Sequence, residues 1–263
     1  MNKIFSLRLK KKLDYHYYYF DRNKISPDPL EFLHRYCSYH DIEISGLLSS
    51  LFAFGSIKQI MNSVEKLHSI MLRSPYSFVL NYDINEGIRL FSLLKHRFYS
   101  GTDISKLFYA LNKIYKKFDS LETFFLLDQP GTEIDIKERI STFSKNMIEL
   151  MAENDSVSYG NKFMFPEPVK GSACKRMNLF LRWMVRKDEL DLGLWKKIPP
   201  SKLIIPVDTH VARISKELKL TSRKNVSWKM AEEITDNLRE LDPADPVKYD
   251  FAICHIGMRK MKF

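Results

Sequence analysis

Glycine is scarce in this chain, 9 in 263 residues, and cysteine scarcer still, at 3. A doubly wound α/β sheet spends glycine in its strand-to-helix turns, so the shortage points away from that class and toward helices. Cys37, Cys174 and Cys254 lie far apart and are odd in number, which suits reduced thiols filling core space rather than a disulfide framework. No Cys-x-x-Cys occurs, so a zinc ribbon or iron–sulfur cluster has no ligand spacing here. No apolar run reaches the roughly 18–20 residues that span a bilayer. The basic start, Met1 to Lys12, has neither the continuous apolar stretch nor the small-residue cleavage site of a signal peptide. A cytoplasmic protein without a membrane partner is expected. Acidic residues are also in deficit, 32 Asp and Glu against 42 Lys and Arg, leaving a formal charge of +10.

What remains is an ordinary globular composition, 44% hydrophobic and 28% charged, which excludes a disordered, collagenous or coiled-coil chain. The length suffices for one large domain or two small ones. Periodicity is helical nearly throughout. Asp28 is a candidate cap with Pro29 at the first helical position. Asp41 is read as opening a nearly all-apolar helix through Ile42, Ile44, Leu47, Leu48, Leu51 and Phe52 that must be buried. Gly55 and Ser56 break it, and Ser56 caps an amphipathic helix carrying Ile57, Ile60, Met61, Val64, Leu67 and Met71. Further helices are expected over about 84–95, 103–117 with Asp103 as cap, 119–127, 134–152, 172–186, 208–218, 227–240 and 246–260. No strand pattern of useful length appears, and the fold class is all-α.

The positive charge is concentrated. Between Pro168 and Lys187 lie Lys170, Lys175, Arg176, Arg182, Arg186 and Lys187 with no acidic residue, interleaved with Leu179, Phe180, Leu181, Trp183 and Met184. A basic helix anchored in a core is a better nucleic-acid candidate than a loose tail, although a solvated helix face is the plainer reading. Backbone amides at Gly171, Ser172 and Ala173 are expected unpaired at the helix start, where they would receive a phosphate. Lys175 sits in the first turn beside Arg176, near the positive end of the helix dipole. Both favour its neutral, nucleophilic amine. Lys170 is the rival lysine in the same loop.

The string Pro206-Val207-Asp208-Thr209-His210-Val211-Ala212-Arg213 resembles a segment of the helix-hairpin-helix (HhH-GPD) DNA glycosylases, the superfamily that includes endonuclease III, where it supplies the essential aspartate. The chain departs from the endonuclease III branch: position 190 is Leu, the Leu-Pro-Gly-x-Gly hairpin is missing, and Lys175 precedes Asp208 by 33 residues. That spacing looks more like the archaeal 8-oxoguanine DNA glycosylases. It is also similar to an uncharacterised bacterial family with the same Asn178-Leu179-Phe180-Leu181-Arg182-Trp183-Met184-Val185-Arg186 string.

The resemblance implies one functional unit of two helical lobes, about 30–165 and about 166–263 with the N-terminal segment, and an active cleft between them. It implies a monomer that binds damaged double-stranded DNA, is nucleoid-associated when bound, and excises an oxidised purine, 8-oxoguanine first. Lys175 would be the Schiff-base nucleophile and Asp208 its carboxylate partner, with strand nicking by β-elimination, chemistry that needs neither metal nor organic cofactor. Lys170, Gly171, Ser172, Ala173, Arg176 and Arg182 would grip DNA, and Phe54, Ser56, Arg97, His210 and Asp250 would serve as wedge or base pocket.

Plainer roles stand beside these. Asp208 can be a helix cap, His210 a structural hydrogen-bonding residue, Asp250 and His255 parts of a packed helix, and Trp183, Trp195 and Trp228 core residues. A non-catalytic nucleic-acid-binding module, a lyase-free glycosylase for another lesion, and a helical interaction scaffold are the competing functions.

Overall fold

The computed structural model describes residues 3–127, 133–153 and 156–259. Among these residues it is helical without a strand; the pairs His96–Tyr99 and Lys187–Leu192 are isolated bridges. In chain order the α-helices are α1 (Lys3–Tyr19), α2 (Tyr39–Phe52), α3 (Ile57–Ile70), α4 (Pro75–Leu80), α5 (Ile84–Leu90), α6 (Gly101–Phe118) and α7 (Leu121–Phe125). They continue with α8 (Ile136–Ala152), α9 (Tyr159–Met164), α10 (Lys175–Val185), α11 (Thr209–Glu217), α12 (Trp228–Arg239) and α13 (Asp250–Arg259). Lys260, the end of the last expected helix, lies outside the described residues. The chain divides into two compact units: Ser26–Glu167, and Met1–Ile25 with Pro168–Phe263. No helix among the described residues is long and apolar enough to cross a membrane.

The unit Ser26–Glu167 is built around α2. Its apolar run buries Ile42, Ile44, Leu47, Leu48, Leu51 and Phe52 together with Glu43 and three serines, because α3, α4 and a 3-10 helix at Pro29–Arg35 cover it. Asp28 caps that 3-10 helix, accepting from the Leu30 amide at 2.9 Å. Two expected caps are corrected. Asp41 lies inside α2 and instead accepts from the Tyr76 amide (2.8 Å), supplying α4 with the cap its own Ser74 does not provide. Asp103 is not the cap of α6 but the third residue of a capping box whose cap is Ser100, with the Ser100 amide donating to its carboxylate at 2.7 Å. The helix expected over 84–95 ends at Leu90. Residues after it turn, burying Phe91 and leaving Leu93 in solvent. Buried Glu43 accepts from the Tyr115 hydroxyl (2.7 Å) and the Leu121 and Glu122 amides (2.9 and 3.2 Å), so a carboxylate of α2 closes the positive end of α7.

His68 is buried in the same unit, stacked on Phe32 and Tyr36, with Nδ1 2.5 Å from the Tyr36 hydroxyl. Burial lowers its pKa from the ordinary 6.5 to about 4, with Arg35 adding to the effect. The unfolded chain therefore takes up a proton at His68 between those values while the folded chain does not. The stabilisation is whole above pH 6.5 and is lost as pH falls toward 4, about 3 kcal/mol in all. Urea titrations from pH 7 to 4.5 are expected to show this loss in the parent. It should be absent from His68→Phe, which keeps the stacking but cannot titrate; parallel curves for the two would contradict the assignment.

In the second unit α11 packs closely on α13 at Gly257, where a side-chain Cβ would fall 3.2 Å from both His210 Cβ and Ile214 Cγ1. Helix α1 lies along α13, tied by the Tyr249 hydroxyl to Asp14 at 2.6 Å. Trp183, Trp195 and Trp228 are all buried. Of the cysteines only Cys174 is a buried core residue. Cys254 is half-buried and Cys37 exposed, which corrects the expectation that all three fill the core.

Candidate active site

The approach to α10 is a tight turn. Pro168–Lys170 forms one 3-10 turn, the Gly171 amide donates to Pro168 O (2.8 Å), and Gly171 O accepts from the Trp228 amide (3.0 Å). Gly171 has φ +88°, a conformation that favours glycine. The helix then begins at Lys175, not at 172, because Cys174 adopts φ +46° and stops it from extending backward. Gly171, Ser172 and Ala173 precede the helix, the Gly171 N–H is spent on Pro168, and Ala173 is buried with its carbonyl accepting from Asn178 Nδ2 (3.0 Å). Lys170 remains at the exposed edge of this turn.

Lys175 and Asp208, far apart in sequence, meet. Lys175 Nζ lies 3.0 Å from Asp208 Oδ2, with the side chains 30% and 18% exposed. Asp208 is also the cap of α11: its Oδ1 accepts from the His210 and Val211 amides at 2.8 and 2.9 Å. One oxygen closes the helix and the other faces the amine, so capping and a chemical role are compatible in one residue. Burial pushes the Asp208 carboxyl up, but the Lys175 ammonium and the Val211 amide outweigh it and hold the group below the ordinary carboxylate range. An ionised carboxylate within hydrogen-bonding reach of a partly exposed primary amine is therefore the chemical content of the site. His210 stands exposed one residue into α11.

The three arginines of the basic run lie inside, while Lys170 and Lys187 are exposed. Arg176 and Arg182, expected to grip DNA, are buried, as is Arg186. Arg182 pairs with Asp191 (3.1 Å) and Asp250, and Arg186 with Asp191, Asp188 (2.9 Å) and Asp245 (2.9 Å). Four carboxyls thus share two guanidiniums, and for the most buried of them burial and the neighbouring carboxylates make protonation easier. Burial raises the Asp250 carboxyl to about 6 against the pull of Arg182, with Asp208 and Asp191 adding to the rise. Its Oδ1 has no hydrogen-bond partner among the described residues. Asp250 is consequently an interior acid, not a pocket edge open to solvent. Sequence reading missed Asp188, Asp191, Asp245 and Arg186 as one network; its visible trace was Arg182 and Arg186 four residues apart on one helix, followed by Asp188 and Asp191.

Phe54, Ser56 and Arg97 belong to the unit Ser26–Glu167. Ser56 is exposed and caps α3 through the Gln59 amide (3.3 Å). The Arg97 guanidinium lies over the rings of Phe54 and Phe98 at 5.8 and 5.6 Å, on backbone of φ +52°. Phe163 stands edge-on to Phe98 (4.9 Å), and Tyr159 lies beyond it, 68% exposed. Phe98, Tyr159 and Phe163 were not foreseen, since their spacing follows no helical stripe. His96, next to Arg97 in the sequence, is buried against Ser63 Oγ (2.9 Å) and Phe54 O (3.1 Å).

No group of three or more His, Cys, Asp or Glu side chains among the described residues is arranged to hold a metal ion. A family model described as "Protein of unknown function (DUF2400)" matches residues 28–259. No curated protein and no solved structure matches the chain.

Proposed function

We propose, for a chain that belongs to the DUF2400 family, that it is a DNA glycosylase with associated lyase activity, removing an oxidised purine, 8-oxoguanine first among them, by way of Lys175 and Asp208. The observation that carries the reading is the 3.0 Å approach of the Lys175 amine to an ionised Asp208. A base inside the duplex is out of reach of any side chain, so the damaged nucleotide is extruded.

As the C1′–N bond breaks, positive charge grows on the sugar, and the Asp208 carboxylate stabilises it. The Lys175 ammonium gives one proton, through the Asp208 carboxylate, to the departing base, and the freed amine attacks C1′ as the C1′–N bond breaks with its electrons on the base. A second amine proton passes to the ring oxygen as the sugar ring opens, which leaves the protonated Schiff base. Removal of a C2′ proton then expels the 3′ phosphate and nicks the strand.

The test is a panel of duplexes, each with one defined lesion, scored for base release, nicking and borohydride-trapped adduct. Release with nicking and trapping on an oxidised purine is the expected result. Release without trapping would assign a lyase-free glycosylase, and salt-sensitive binding without release on every duplex would assign a non-catalytic binding module.

A further inference from the structure

A cavity of about 420 Å³ opens in the unit Ser26–Glu167 between α4, α5 and the turn after α3. It shares no residue with the lysine–aspartate site and does not rest on the function proposed above. Its wall has a composition unlike the chain's: Asp83 and Glu86 face it and no lysine, arginine or histidine does, in a protein with a formal charge of +10. An anion has no counter-charge there. The Glu86 carboxylate makes no hydrogen bond or ion pair among the described residues. Asp83 spends Oδ1 on the Asn85 and Glu86 amides (2.9 and 3.0 Å) and keeps Oδ2. Arg73, adjacent in sequence to the cavity wall, has its guanidinium on Glu65 (3.2 Å).

The aromatic wall is held in place. The rings of Phe78 and Tyr82 lie 5.8 Å apart at 51°. Tyr82 is locked by its hydroxyl on Ser105 Oγ (2.7 Å) and by Gly87, where a Cβ would sit 1.7 Å from the Tyr82 oxygen. Two aromatic rings beside two carboxylates suit an organic cation with an apolar stem, because ring quadrupoles and carboxylates attract the same charge. The volume is that of an ordinary ligand site.

The mouth says what carries the cation. Leu72 projects 84% exposed from backbone at φ +51°, followed by Arg73 at φ +56°, and Leu90 across the rim is 50% exposed. Two consecutive left-handed residues without glycine are costly, and here they hold a leucine out in water. An apolar lip around a cation-accepting cavity fits a chain segment whose neighbouring residues are apolar, better than a free amine that ends inside.

We propose that this cavity binds the lysine or arginine side chain of a partner polypeptide, with apolar neighbours of that residue packing on Leu72 and Leu90. The protein's own positive charge repels basic peptides in general, so such binding would report the local site.

The experiment is fluorescence anisotropy of the full chain with a labelled octapeptide of alternating Leu and Lys. The same peptide with norleucine for Lys and with Glu for Lys, and unlabelled pentylammonium as competitor, complete the set. The basic peptide is expected to bind, and the Asp83→Asn/Glu86→Gln double variant to weaken it by about tenfold or more, which is about 1.4 kcal/mol. Asn remains a good cap, so α5 is kept. Leu72→Ser is expected to weaken the peptide while leaving pentylammonium competition unchanged. Equal binding by the double variant, or equal binding of the norleucine peptide, overturns the site. Pentylammonium binding as tightly as the peptide overturns the polypeptide assignment in favour of a free amine.

Discussion

Lys175→Gln is expected to leave no borohydride-trapped adduct and no strand nicking on whichever duplex the parent cleaves, while Lys170→Gln retains both. The reason is positional. Lys170 lies at the edge of an exposed turn, whereas Lys175 stands at the head of α10 with its amine 3.0 Å from Asp208. Gln keeps most of the length and polarity of the side chain and removes the nucleophile. Asp208→Asn separates the two jobs of that residue. Asn caps a helix about as well as Asp, so melting should shift by less than about 1 kcal/mol. Base release should fall at least about a hundredfold, since a neutral amide no longer opposes the charge developing on the sugar. Asp208→Ala loses the cap as well and should melt lower by about 1 kcal/mol. Trapping by Lys175→Gln at the parent's level would move the nucleophile elsewhere.

Arg182→Met is expected to cost about 3–5 kcal/mol of unfolding free energy at pH 7.5, the penalty of leaving buried carboxylates without their cation. Arg182 is 3% exposed and serves Asp191 and Asp250, themselves almost without solvent contact, so no water can replace the guanidinium. The loss should shrink toward pH 5. Folded Asp250 keeps its proton up to about 6 against an ordinary 3.8, so its contribution to stability is whole below pH 3.8 and declines as pH rises through 6. Below 6 the stranded group is a neutral acid rather than a buried anion. Urea midpoints of parent and variant at pH 7.5 and pH 5 measure both statements. A loss under about 1 kcal/mol at pH 7.5 would mean that the network is solvated and the arginine free to reach a ligand. Arg182→Met/Asp250→Asn should recover part of the loss, because it removes one of the two orphaned charges.

The helical class was readable from the chain because it depends on local pattern. The apolar run of Ile42 to Phe52, the Ser56 cap and the stripe from Ile57 to Met71 each describe a helix within a few residues of its own. The lysine and aspartate were legible by resemblance, as a short string around Asp208 and a lysine at the head of a helix. Caps were read less well. Asp41 and Asp103 are good cap types close to helix starts, but a carboxylate goes to whichever amide the packed neighbour presents, and that was Tyr76 for one and Ser100 for the other. The basic run misled for the same kind of reason: six positive residues without an acid look like a surface until partners from elsewhere in the chain enter. Asp245 and Asp250 are more than fifty residues away from the arginines they neutralise.

Sequence alone determined that the chain is helical, which segment must be buried, and which lysine and aspartate to examine, since periodicity and short motifs act over a turn or two of helix. Tertiary structure decided which charges meet. It turned Arg182 and Arg186 inward, paired Lys175 with Asp208, and placed Asp83 and Glu86 on a cavity lined by no basic side chain. Charge pairing depends on distance in space and on exclusion of water, and neither is written in the order of residues along the chain.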